Sequence, residues 1–282
     1  MIFQRTAVIG IGLIGGSFAL AGREAGVLGE VVGVARSERT LLEAVHFGAA
    51  DRTTADAAVA VRDADLVYIA TPVAAISAVM AQIAPSLKPG CVVTDAGSTK
   101  LGVMQAAAEL LPPHAHFVGG HPMAGSERGG VAEARSHLFH GRTYLLTPTP
   151  GSDDALARLR ELVIAIGARP VVVDAQSHDR IVARTSHLPH IAAAALCLAL
   201  GDNVLQRDFI GAGLRDTTRI AEGPVEVWRE ILMTNATEVL GALDEFIAAT
   251  ERYRDAVASA DEEEITRLLD EARAARQRMG ES

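Results

Sequence analysis

The 282-residue sequence is poor in basic residues and in cysteine, and it has no long unbroken apolar run; each absence removes a class of protein. Its 26 Lys and Arg are outnumbered by 35 Asp and Glu, giving a net charge of -9. A protein that grips nucleic acid neutralises phosphates with a basic stripe, so no nucleic-acid partner is expected. Cys91 and Cys197 are the two cysteines, far apart and each in an apolar setting. They read as two buried thiols in a reducing cytoplasm rather than a disulfide frame. No run reaches the roughly 18 apolar residues of a membrane span, so no membrane partner is expected. The apolar N-terminus is not read as a signal peptide: Gly10, Gly12, Gly15 and Gly16 interrupt it, and a strand, turn and helix account for them. No internal repeat or low-complexity segment stands out.

What is present is ordinary globular composition, 49% hydrophobic and 22% charged, in a length that suits two domains. Short β-branched runs at 6–9, 31–35, 66–70, 91–95, 116–118, 144–147 and 171–173 alternate with helical stretches at 17–25, 39–47, 74–83 and 103–111. The strand runs are continuously apolar, as in a parallel sheet buried on both faces. Residues 1–174 are therefore expected to form a Rossmann-like α/β domain with a doubly wound, mainly parallel sheet that binds a dinucleotide.

After Asp174 the strands stop, and 175–282 is expected to be an all-helical substrate and dimerisation domain. Residues 177–200 are helical, with Pro189 as a kink or boundary. Pro224 sits at the first turn of one long helix to about Val257, with Trp228, Ile231, Leu232, Val239, Leu243, Phe246 and Ile247 on its apolar side. Asp261 and Glu264 form a capping box for the last helix. The apolar helical surface is read as a homodimer interface, with internal core as the alternative.

The run Gly10-Ile11-Gly12-Leu13-Ile14-Gly15 is a G-x-G-x-x-G sequence between a predicted strand and an apolar helix. In that context Gly10 permits the turn, Gly12 lets a pyrophosphate approach, and Gly15 lets helix and strand pack. The helix N-terminus offers N–H groups to the phosphates. About twenty residues on, where an acidic residue would bind an NAD ribose, the strand tip carries Arg36 and Ser37 instead. A guanidinium and a hydroxyl suit a 2′-phosphate, which favours NADP over NAD; Glu38 is the alternative ribose partner. Thr71 and Pro72 end another strand on the same carboxyl edge and are assigned to the cofactor.

Two further segments reach that edge: Thr94 to Lys100, and Gly119 to Glu127. A hydride-transfer enzyme acting on an alcohol needs a group that takes the hydroxyl proton, and neutral histidine suits it. His121 is placed for that task, with Ser98 as a partner that orients its ring. His137 and His140 have a spacing that can bind metal but no carboxylate or cysteine companions, so no metal is expected. His178 and Asp179 read as a helix start, with Asp179 favouring the dipole.

The combination Gly-His-Pro-Met-Ala-Gly at 120–125, Ser-His-Leu-Pro-His at 186–190 and Asp-x-x-Arg-Ile at 216–220 resembles the prephenate and arogenate dehydrogenases of tyrosine biosynthesis, over nearly the whole chain. The resemblance implies NAD(P)-dependent oxidative decarboxylation of prephenate or arogenate. It implies that His121 is the catalytic histidine, with Ser98 as its hydrogen-bond partner. Arg219 would bind the ring carboxylate and Asp216 would hold its guanidinium. Ser126, Ser186 and His190 would line the pocket near the substrate side chain, with Glu127 at the entrance. His187 would lie near the cofactor and Trp228 near the pocket, and the C-terminal helices would intertwine into a dimer. Neither a mutase domain in front nor a regulatory domain behind is expected, so any feedback by tyrosine would act at the active site.

Two rivals remain at this stage. One is a dehydrogenase of the 3-hydroxyacid type, which by analogy uses a lysine base and would employ Lys100. The other is a non-catalytic NAD(P)-sensing module, which leaves His121, Ser98 and Arg219 without a purpose.

Overall fold

The computed structural model describes residues 1–126, 128–201 and 208–280. One eight-stranded sheet organises the N-terminal part. Its strands are β1 (Phe3–Ile9), β2 (Leu28–Val34), β3 (Arg52–Thr54), β4 (Leu66–Ile69), β5 (Val92–Asp95), β6 (His116–Pro122), β7 (Thr143–Pro148) and β8 (Arg169–Val172). Their spatial order is β3-β2-β1-β4-β5-β6-β7-β8. Every pairing is parallel except β6 with β7. Strand β3 was not expected: Arg52-Thr53-Thr54 carries no apolar run and is placed by pairing with Val32–Val34 of β2.

Both faces of the sheet are buried, which is why its strands lack alternation. Ala7 and Ile9 of β1, with Val67 and Ile69 of β4, enter one core; Val8, Leu66 and Tyr68 enter the other. Helices α1 (Leu13–Glu24), α2 (Glu38–His46), α3 (Ala57–Ala60), α4 (Ile76–Ile83), α5 (Leu101–Leu110) and α6 (Asp153–Ala165) cover them. Phe18 of α1 stacks on Tyr68 with ring centroids 3.8 Å apart. The order in which successive strands are added reverses at β1, which lies between β2 and β4, and that is where such sheets open a ligand crevice at their carboxyl ends.

Beyond β8 the described chain is helical: α7 (Ala175–Val182), α8 (Leu188–Leu200), α9 (Ala212–Thr218), α10 (Val225–Thr234), α11 (Ala236–Ala258) and α12 (Glu262–Gly280). Asp174 caps α7 by accepting the Ser177 N–H at 2.9 Å. Between α7 and α8 the chain widens into a π-helical turn, Ala183–His187, and Pro189 follows it as the second residue of α8. Asp261 accepts the Glu264 N–H at 2.9 Å, as the capping-box reading requires.

Three expectations need correction. The single long helix from Pro224 is two helices that meet at Asn235, whose backbone leaves the helical region (φ -120°, ψ 28°). Only Cys91 is buried; Cys197 is exposed on α8. The continuous helical stretch Ala175–Leu200 contains an 18-residue window of mean hydropathy 1.2, so that by length and composition alone it is apolar enough to cross a membrane. Its polar side chains His178, Asp179, His187 and His190 are nevertheless buried against protein. A small core of Ala183, Val239 and Ala242, with Leu188, Ile191, Leu232 and Leu243 against it, joins α8, α10 and α11.

Candidate active site

The glycine-rich turn has the geometry its sequence calls for. Gly10 has φ +89°, and a Cβ there would stand 2.6 Å from the Ala70 carbonyl oxygen. A Cβ on Gly15 would stand 2.4 Å from the Gly10 oxygen, so only glycine lets α1 come this close to β1. Nothing lies within 4 Å of a Cβ on Gly12, which faces open space. No side chain caps α1 and no acid occupies its first turn, so its N–H groups remain available to an anion.

These elements border a cleft of ≈ 720 Å³ at the carboxyl ends of β1, β2 and β4, lined among others by Gly10, Gly12, Arg36, Ser37, Thr71 and Pro72. Thr71 Oγ1 is buried there without a hydrogen-bond partner, an orphan that a ligand would satisfy. Arg36 is exposed at the β2 tip and has no ion-pair partner among the described residues. Ser37 caps α2 by accepting the Thr40 N–H at 3.5 Å. These residues fit a dinucleotide. A smaller cleft of ≈ 280 Å³ continues from it, lined by Leu13, Ile14, Thr71, Ser98, Val227 and Glu230 among others. Leu13 and Ile14 thus face the second cleft. Glu230 was not anticipated; it lines both clefts and accepts the Ala74 N–H at 3.3 Å, so α10 forms a wall of the crevice.

His121 lies within β6 itself, not in a loop after it, because Gly119 and Gly120 continue the strand. A Cβ on Gly120 would stand 2.4 Å from the Asp95 carbonyl oxygen; glycine there lets β6 lie close to the end of β5. The Gly120 N–H donates to Asp95 Oδ1 at 3.0 Å and the Gly97 N–H to Oδ2 at 2.7 Å. Lys100 Nζ donates to the same Oδ2 at 2.5 Å, and both side chains are buried. Lys100 therefore faces Asp95 and lines neither cleft, which removes the observation that kept a lysine-base enzyme in play.

The ring partner of His121 differs from the expected one. His121 Nδ1 lies 2.9 Å from His178 Nε2, and His178 Nδ1 lies 2.7 Å from Asp179 Oδ1. Ser98 is half-buried in the smaller cleft, and no hydrogen bond joins it to His121 among the described residues. Asp179 also accepts the Lys100 N–H at 2.7 Å and the Leu101 N–H at 2.9 Å, so it caps α5 as well. The expected dipole role does not hold: α7 starts at Ala175 with Asp174 as its cap, and Asp179 lies past the first turn. The partner of His178 is 57 residues away in sequence, and only the adjacent His-Asp pair just past the last strand hinted at a site.

Burial pushes His121 well below the ordinary histidine range, and the nearby Lys100 ammonium adds to that. Burial likewise takes His187 down to about 4, against the pull of Asp179. Burial opposes ionisation of Asp179, but donation from His178 and from the Leu101 and Lys100 amides outweighs it and holds the carboxyl below its usual range. Asp179 is thus an acceptor only, and His178 Nδ1 must be the donor toward it.

The other assigned residues surround α8. His187 is buried, its Nδ1 3.3 Å from Asn235 Nδ2, and Asn235 also donates to the Asp179 carbonyl oxygen at 2.8 Å. His187 lines neither cleft; its neighbour is the edge of Trp228, at 6.3 Å between ring centroids. His190 stacks on Trp228 with centroids 3.6 Å apart and planes 8° from parallel, so Trp228 is half-buried as part of an aromatic platform rather than plain core. A Cβ on Gly223 would stand 2.3 Å from Trp228 Nε1, so a glycine makes room for the indole. Burial lowers His190, opposed by its hydrogen bond to the Ile220 backbone. Ser186 is half-buried in the π-helical turn, a feature that recurs at functional sites. Asp216 in α9 and Arg219, which opens the short turn Arg219–Glu222 packed on α8, are both exposed. Ser126 is half-buried and accepts the Arg128 N–H at 3.2 Å; Glu127 lies outside the described residues.

Comparison with known proteins agrees along the whole chain. Residues 18–172 match the family model described as prephenate dehydrogenase, nucleotide-binding domain, and residues 174–271 match prephenate dehydrogenase, dimerization domain. The chain is 36% identical to a prephenate dehydrogenase of Bacillus subtilis, over 94% of this chain and 73% of that one. It is 35% identical to a cyclohexadienyl dehydrogenase of Zymomonas mobilis, over 98% and 96%. A crystal structure of prephenate dehydrogenase from A. aeolicus, in complex with hydroxyphenyl propionate and NAD+, superposes with a TM-score of 0.90 at 28% identity, covering 98% of each chain.

Proposed function

The chain belongs to the prephenate dehydrogenase family, and on that premise we propose how it oxidises and decarboxylates prephenate or arogenate to 4-hydroxyphenylpyruvate or tyrosine. The observation that carries the reading is His121: a buried imidazole kept uncharged, at the carboxyl end of β6, one strand from the crevice.

In this reading the α1 N-terminus would hold the phosphates of the dinucleotide, and Thr71 and Ser98 would line the part of the crevice that receives its reactive end. When bound, it supplies the hydride acceptor. His121 Nε2 takes the proton of the ring hydroxyl as the carbon bearing it gives up its hydride and gains carbonyl character. The bond to the ring carboxylate then breaks, carbon dioxide leaves, and its electron pair completes the aromatic ring. The proton returns from His121 to the phenolic oxygen, so the enzyme ends unchanged. Arg219 offers a bidentate fork to a substrate carboxylate, with Asp216 as its brace. Ser126, Ser186 and His190 contact the side chain, Trp228 supports His190, and Ser98 contributes a hydroxyl where cofactor and substrate meet.

For the cofactor we propose NADP over NAD, because Arg36 and Ser37 stand at the β2 tip where an acidic residue would favour the unphosphorylated ribose. Residues 1–174 act as the cofactor-binding unit and 175–282 as the substrate and dimerisation unit. Exposed apolar side chains such as Leu198, Leu240 and Ile247 then become buried between two copies in a cytoplasmic homodimer.

The test is the initial rate of reduced-cofactor appearance with prephenate or arogenate and NAD or NADP, in all four pairings. A clear rate in any pairing supports the reading and identifies both preferences. No rate in all four, from folded protein that binds cofactor, overturns it in favour of a sensing module.

A further inference from the structure

The reaction as proposed needs one tautomer of His121. Its Nε2 must carry a lone pair to accept a proton, so its single proton must sit on Nδ1. A histidine in isolation does not hold that arrangement, and a base needs a partner that imposes it. The expected partner, a serine hydroxyl, both donates and accepts and so imposes no tautomer by itself. The partner found is another imidazole, itself constrained.

The constraint starts at Asp179. Its carboxylate receives the Lys100 and Leu101 amides at the α5 N-terminus, so it cannot turn away without uncapping that helix. It accepts from His178 Nδ1 at 2.7 Å, which leaves His178 Nε2 as a lone pair when that ring is neutral. The lone pair faces His121 Nδ1 at 2.9 Å and can only accept. All three side chains are buried, so water does not scramble the chain of donors. Asn235 holds the start of this array from behind by donating to the Asp179 carbonyl oxygen.

We infer that His178 and Asp179 are positioning residues of the reaction: the pair locks His121 in the Nδ1–H tautomer and shares the positive charge that His121 acquires when it takes the substrate's proton. The inference rests on the proposed role of His121. It differs from a merely structural part for His178 because donor direction, rather than packing, is what matters.

The test has a spectroscopic arm and a kinetic arm on the full-length protein. Side-chain nitrogen NMR of 15N-histidine-labelled protein is expected to show His121 protonated on Nδ1 and bare on Nε2, with no substrate needed. Asp179→Ala removes the acceptor that fixes the proton on His178 Nδ1, so that His178 Nε2 can carry it and donate to His121. Its kcat is expected to fall by about 10²–10⁴-fold, as for a base held in the wrong tautomer, with KM within about threefold. His178→Gln, which offers a carbonyl to His121 and an amide to Asp179, should keep the tautomer and lose far less kcat than His178→Leu, which offers neither. That ordering at equal thermal stability is the signature of donor direction. His121 found protonated on Nε2 in the parent protein, or Gln and Leu equal in effect, overturns the inference. Absence of turnover in the parent with the tautomer as stated would instead count against the assigned reaction and leave the array standing.

Discussion

Lys100 Nζ and Asp95 Oδ2 lie 2.5 Å apart, both side chains closed off from solvent, under the edge where β5 and β6 end. Asp95 also anchors the Gly97 and Gly120 amides, so the pair holds the turn after β5 and the end of β6 in place. Lys100→Met would leave a buried carboxylate with two amide donors and no countercharge. Removing one partner of a buried pair costs about 3–5 kcal/mol, so a loss of that size is expected in denaturant unfolding. A stability loss with kcat preserved in the remaining folded protein fits this anchoring role; folded, stable protein without activity would return Lys100 to the chemistry.

His121→Asn is expected to lower kcat by about 10²–10⁴-fold, the usual worth of a positioned base, with KM little changed. Steady-state kinetics with the preferred substrate and cofactor checks it. Near-normal turnover would remove His121 from the reaction.

Arg219→Ala should act mainly on KM. Loss of a charge-assisted contact to a carboxylate is worth about 1.5–3 kcal/mol, or about 10–100-fold in KM. An unchanged KM would mean that the carboxylate is held elsewhere.

Arg36→Ala should weaken NADP by about tenfold or more while leaving NAD within about twofold, because a 2′-phosphate is what the guanidinium would recognise. Cofactor titration by protein fluorescence checks it through Trp228. Equal weakening of both dinucleotides would point to stacking on the adenine instead.

Acid should destabilise the fold in a defined window. His187 titrates at about 4 in the folded chain against 6.5 for an ordinary histidine. Burial depresses His121 in the same direction. Below 6.5 the unfolded chain binds protons that the native one refuses, so stability present above that pH drains away as pH falls toward about 4. Melting temperatures at pH 7.5, 6 and 5 should therefore descend steadily. A flat profile would contradict the buried, uncharged state of both rings.

The elements legible in the sequence were those whose cause is local. The glycines of 10–15 declare a turn because a Cβ at Gly10 or Gly15 meets backbone at once. The uninterrupted apolar strands declare a sheet covered on both faces. Strand β3 escaped because its three residues, Arg52-Thr53-Thr54, have no pattern of their own and take their shape from β2. The break at Asn235 escaped because the apolar stripe runs straight through it; the cause is an amide committed to Asp179 and His187, about 50 residues back. The same holds for the site. His121 stood out by its place on the carboxyl edge, whereas His178 and Asp179 look like any helix start until the fold brings α7 against α5 and β6.

Val227 and Glu230 of α10 share the wall of the crevice with Leu13, Ile14 and Thr71 of the sheet half. Whatever occupies that crevice is in contact with both halves at once and acts as a strut between them. Its binding energy is then added to their mutual adhesion, so a saturating dinucleotide should make sheet and helices melt as a single cooperative unit at a higher temperature.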